Sequence, residues 1–150
     1  MNFQSVEEVL EFAIGKESAS AAFYNGLAAK MEKPWMKKTF EDFAREELEH
    51  KAKLIGVRNG QTLEPSREKI LDLKIADYTV GGEPSPEMDY PDALLLAMKM
   101  EKAAFRLYHD LADRTVDTGL RLTLMALAQE EARHKLRFEL EYDEHVLREN

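Results

Sequence analysis

Apolar residues recur at alternating intervals of three and four along most of this chain, a period that fits α-helix and little else. Four stripes can be followed. The first runs Val6, Leu10, Ala13, Glu17, Ser20, Tyr24, Leu27, Met31, and the second Met36, Phe40, Phe43, Glu47, His50, Leu54, Val57. The third runs Leu94, Ala97, Glu101, Ala104, Tyr108, Leu111, and the fourth Leu120, Leu124, Leu127, Glu131, His134, Phe138. Each set lies on one helix face. Each is broken near its middle by a Glu, and on the second and fourth a His follows three residues later.

The spacing predicts four long helices. The first runs from about Ser5, an N-cap with Glu8 three residues on, to about Met31. The second starts at Pro34 and stops at Asn59-Gly60. The third spans about Pro91 to Thr115, and the fourth follows Asp117, an expected N-cap, and runs to about Leu147. Short turns make each pair an antiparallel hairpin, one over 5–59 and one over 91–147. Between them, residues 60–90 hold Pro65, Gly81-Gly82 and Pro84-Ser85-Pro86, with a short helix expected near Arg67–Leu73. That segment is long enough to return along a helix rising about 1.5 Å per residue, which leaves the second and third helices parallel. Neither hairpin could cover its own apolar stripe alone. The expectation is therefore one all-α domain over residues 1–150, a four-helix bundle with a single long crossover, the ferritin-like connectivity.

The Glu and His residues occupy core positions by register. An ionised carboxylate there costs of the order of several kcal/mol unless it is paired. No stripe carries Lys or Arg. Two divalent cations would balance four carboxylates. The chain also repeats itself: an offset of 84 carries Glu17 to Glu101, Tyr24 to Tyr108, Glu47 to Glu131 and His50 to His134 without a gap. One Glu from each of two helices and a Glu-x-x-His from each of the others is the di-iron or di-manganese carboxylate arrangement. Oxygen and nitrogen donors suit iron or manganese and are compatible with zinc.

Composition closes other routes. The net charge of −8 argues against nucleic acid or an anionic membrane as partner. With no Cys, disulfides, iron–sulfur clusters and rubredoxin-type iron are excluded, and the chain is expected in the cytoplasm. The N-terminus lacks a basic segment with an apolar stretch behind it, so no secretory signal is expected. Among the remaining residues, Tyr24 and Tyr108 are read first as core aromatics, with a hydrogen bond or a redox role beside the metals as the alternative, and Glu46 and Glu130 as solvated surface, with the orientation of an imidazole as the alternative. His109 and His145 fall off the stripes and are read as surface residues. Met98, Met100 and Phe105 flank the third stripe and suit either core packing or a homodimer contact.

The chain resembles the rubrerythrin branch of the ferritin-like superfamily over roughly residues 5–140. The resemblance rests on Glu17 with Phe23-Tyr24 and Leu27-Ala28, Glu47-x-x-His50, Glu101 with Tyr108 and Leu111-Ala112, and Glu131-x-x-His134. It implies two iron ions, with Glu47 and Glu131 bridging, Glu17 and Glu101 terminal, and one His on each metal. It further implies an oxidoreductase that reduces hydrogen peroxide or dioxygen with an external electron donor. The alternatives are an iron-binding ferroxidase in iron handling and a metal-stabilised bundle without turnover. Two departures stand out. Rubrerythrins commonly carry a Cys-rich rubredoxin domain, which is not expected here. They also often have a second Glu on the third helix, one turn after the first, where this chain has Ala104.

Overall fold

The computed structural model describes residues 5–60, 78, 89–115 and 118–144. Four helices account for nearly all of them: α1 Val6–Lys30, α2 Pro34–Gly60, α3 Tyr90–Asp113 and α4 Thr118–Tyr142. The boundaries follow local chemistry. The Ser5 side chain accepts a hydrogen bond from the Glu8 amide at 3.0 Å, with Glu7 and Glu8 in the positive first turn of α1. Asp89 does the same for α3, accepting from the Asp92 amide at 2.9 Å, with Pro91 just inside the helix. Pro34 opens α2 and Gly60 closes it. After α3, Thr115 Oγ1 donates to the Leu111 carbonyl at 2.6 Å, and Arg121 of α4 donates to the Thr115 carbonyl at 2.7 Å, so the turn is closed from both sides. The expected cap at Asp117, the short helix near 67–73 and the last turn towards Leu147 lie outside the described residues.

Two apolar clusters set the helix directions. One joins Val9, Leu10 and Ala13 of α1 to Leu54 of α2, Leu107 and Leu111 of α3, and Leu124 and Leu127 of α4. The other joins Ala21, Tyr24 and Leu27 to Phe40 and Phe43, Ala93 and Leu94, and Phe138. The start of α1 therefore meets the end of α2, the end of α3 and the start of α4. Helices α1 and α4 run one way, and α2 and α3 the other. Parallel α2 and α3 require the long crossover, and the bundle is ferritin-like. Tyr78, the described residue of that crossover, is buried in the first cluster and donates to Asp110 Oδ2 at 2.6 Å. It pins the crossover at the end of the bundle where α2 finishes.

Met98 and Phe105 are partly buried against these clusters, so packing accounts for both. No described helix is long and apolar enough to cross a membrane.

Candidate metal centre

Between the two apolar clusters the stripes turn polar. Glu17 comes from α1, Glu47 and His50 from α2, Glu101 from α3, and Glu131 and His134 from α4. All six are at most 2% exposed, although ionisable side chains are almost never so buried without partners. No Lys or Arg is buried among the described residues. The structure thus brings together every residue that the stripes and the repeat single out.

Their donor atoms form two overlapping groups. Glu17, Glu47, His50 and Glu131 make one, and Glu47, Glu101, Glu131 and His134 the other, each with its ligand atoms all within 4.8 Å of one another. His50 Nδ1 lies 2.7 Å from Glu131 Oε1, 3.6 Å from Glu47 Oε1 and 3.7 Å from Glu17 Oε1. His134 Nδ1 lies 3.1 Å from Glu47 Oε1 and 3.7 Å from Glu101 Oε1. None of these approaches has hydrogen-bond geometry. One carboxylate oxygen of each Glu and Nδ1 of each His is left buried without a partner. Orphaned buried polar atoms are costly, and here they face a common centre. A divalent cation in each group would partner all six, so the residues fit a pair of metals.

The outer atoms are satisfied across the hairpins. Tyr24 of the first hairpin donates its hydroxyl to Glu101 Oε1 of the second, and Tyr108 of the second donates to Glu17 Oε1 of the first. His50 Nε2 bonds Glu130 Oε2, and His134 Nε2 bonds Glu46 Oε2. A carboxylate only accepts, so each Nε2 carries the proton, and in the neutral ring Nδ1 keeps its lone pair for a metal. Glu46 and Glu130, 31% and 41% exposed, are thus partly solvated but not free, and each orients an imidazole. The i+4 spacing places each on the same helix as a His, but each serves the His of the opposite hairpin. Their signal in the sequence is that they too are 84 apart. Tyr24 and Tyr108 are core aromatics, as read, whose hydroxyls engage the carboxylates of the centre. His109 is half exposed, 3.6 Å from Asp113, and takes no part; His145 lies outside the described residues. Ala104 stands one turn after Glu101 and offers no ligand atom.

Electrostatics without metal follow from crowding. Burial, then the charge of Glu101, pushes the Glu47 carboxyl well above its usual range. Burial and the charges of Glu101, Glu17 and Glu47 do the same to Glu131. Burial pulls the His134 imidazole down, but Glu101 and Glu47 outweigh it and raise it to about 10. His50 is likewise raised, with Glu17 and Glu130 overcoming burial. The metal-free centre therefore holds protons where it would otherwise hold cations.

The rubrerythrin family model matches residues 8–142, a span that includes all six residues. Among solved structures, a Thermotoga maritima protein named as a ferritin-like diiron-carboxylate protein superposes with a TM-score of 0.80 at 20% identity, covering 97% of this chain and 99% of its own. A hypothetical protein from Pyrococcus furiosus superposes with a TM-score of 0.75 at 26% identity, covering 93% of this chain and 89% of its own. No curated protein matches the chain.

Proposed function

The chain belongs to the rubrerythrin family, and from that membership we propose that it is a non-haem di-iron oxidoreductase that reduces hydrogen peroxide or dioxygen. Its electrons come from an external donor, and Glu17, Glu47, His50, Glu101, Glu131 and His134 hold the two metals. The observation that carries this reading is the set of six buried, unpartnered donor atoms in two groups that share Glu47 and Glu131. Because they are shared, those two carboxylates would bridge the metals, with Glu17 and His50 completing one position and Glu101 and His134 the other. Four carboxylates against two divalent ions leave the centre neutral, which removes most of the cost of burying it.

Two irons, when bound, supply one electron each and adjacent Lewis-acidic positions for a small oxidant. The protein supplies the surroundings. The apolar clusters on either side keep bulk water from the centre. Burial and the neighbouring carboxylates raise the Tyr24 and Tyr108 hydroxyls well above the ordinary phenol value, so each holds its proton beside a ligand oxygen. Glu46 and Glu130 hold the imidazoles in the tautomer that presents Nδ1 inward.

The test is anaerobic loading with Fe(II) followed by a limiting amount of peroxide. Two irons per chain, oxidised as a pair by one peroxide and cycled again when reductant is added, is the expected result. Inertness towards both oxidants would end the proposal. Iron well above two per chain would move the assignment to iron handling.

A further inference from the structure

The two hairpins agree at every residue of the centre and at both outer carboxylates, but they part at one position that touches the ring hydrogen bonds. Arg133 Nη2 donates to both oxygens of Glu46, at 2.9 and 3.0 Å. The residue 84 positions earlier is Glu49. By the internal repeat, Glu130 has a glutamate where Glu46 has a guanidinium. Among the described residues, Glu130 bonds His50 and pairs with no Lys or Arg.

Resting on the metal reading above, we propose that the two metal positions are unequal. The position formed with Glu17 and His50 binds a divalent cation more tightly than the one formed with Glu101 and His134, because Arg133 draws charge from Glu46 and no described Lys or Arg does so for Glu130. A carboxylate that accepts the Nε2 proton makes the opposite ring nitrogen a stronger donor to a metal. A guanidinium bound to the same carboxylate competes for its lone pairs and weakens that push. It also brings a positive charge to the His134 half, whereas the residue at the matching position of the repeat, Glu49, is an acid. All these effects have the same sign. Arg133 is itself 56% exposed, so water screens part of its effect. Complete loss of an outer partner costs roughly 10–100-fold in metal affinity, and a compensated partner should cost less, about three- to tenfold.

Packing also differs between the halves. The Phe43 ring lies 4.3 Å from the His134 ring, while Leu127 holds the equivalent place in the other hairpin. A test must therefore separate charge from packing. The double variant Glu49→Arg/Arg133→Glu does so, because it exchanges the two charges, keeps the net charge and leaves Phe43 and Leu127 alone. Both positions are exposed, so the fold should tolerate the exchange.

The experiment is crystallographic. The full-length wild type and the variant are loaded with Co(II) below saturation, and anomalous scattering at the cobalt edge gives the occupancy of each position. Wild type should show a three- to tenfold preference for the His50 position, on the scale argued above. The exchanged variant should reverse it. If that variant does not fold, Arg133→Gln serves instead and should bring the two occupancies towards equality. Equal occupancy in wild type, or the same preference after the exchange, would overturn the inequality while leaving the metal reading intact. Cobalt at neither position under saturating metal would overturn both.

Discussion

Glu47 and Glu131 each belong to both groups of ligand atoms, so at the residue scale they differ in kind from the other four. On the metal reading, loss of Glu17 or Glu101 should weaken one position, and loss of a shared Glu should weaken both and break the pair. Glu131→Ala should take the chain from a coupled pair to at most about one bound ion, since the carboxylate arrangement needs both bridges. Metal analysis together with magnetic susceptibility of the Fe(II)-loaded protein reads this directly. Two coupled metals in Glu131→Ala would refute the bridging assignment. These residues were legible in the sequence because a Glu interrupting an apolar stripe has no cheap explanation. For Glu46 and Glu130 the sequence left two roles open, solvated surface or partner to an imidazole. Helical register says which face a side chain occupies but not which neighbour it meets, and both sit at the edge of the face where water and protein compete. A hydrogen bond from Tyr24 and Tyr108 beside the metals was likewise one of two open readings, and its partner was hidden because each bond spans two hairpins.

At the scale of elements, the helix ends were the most readable part. Ser5, Pro34 and Gly60 act as their types suggest, and the third helix begins one residue before Pro91. The long crossover and the parallel pair that it joins were legible as well, from the length of the segment, but its path was not, and within residues 61–88 only Tyr78 is described, buried in the first apolar cluster. The helices also contain a weak point that stability measurements can expose. Gly15 sits in the interior of α1, is exposed, and a Cβ there would meet nothing within 4 Å. Glycine in such a place loses backbone entropy on folding with nothing gained. Gly15→Ala should therefore stabilise the protein by about 0.5–1 kcal/mol, seen as a higher midpoint in denaturant at unchanged slope. A lower midpoint would mean that the glycine serves a contact beyond this chain.

On the scale of the whole molecule, the protons taken up by the metal-free centre couple folding to pH. The raised Glu47 and Glu131 bind protons more tightly folded than unfolded. So do the raised His50 and His134. Each such group contributes stability that is present below its unfolded pKa and is lost as pH rises through the folded value. For the carboxylates the loss begins near pH ~4.3, and for the imidazoles near pH ~6.5. For His134 it is complete only above about 10. Metal-free protein should accordingly melt lower at pH 8 than at pH 6. Metal reverses the trend, because its ligands must shed those protons. A ligand confined to the folded state adds about 2.7 kcal/mol at a hundredfold excess over Kd, several degrees in Tm for a domain of this size. The gap between Mn(II)-loaded and metal-free protein should thus widen from pH 6 to pH 8 and shrink below about pH 5. Thermal scans of both forms check it, and coincident curves at pH 8 under saturating Mn(II) would deny a preformed centre. The hydrogen bonds exchanged between hairpins bear on ancestry as well. Tyr24, Glu46, Tyr108 and Glu130 each act on the opposite half, so a lone hairpin carries neither a complete centre nor the supports for its own ligands. A single hairpin of this kind would need a second copy of itself to complete a centre, and the offset of 84 is the trace that duplication and fusion of such a hairpin would leave, with Glu49 and Arg133 among the positions at which the halves differ.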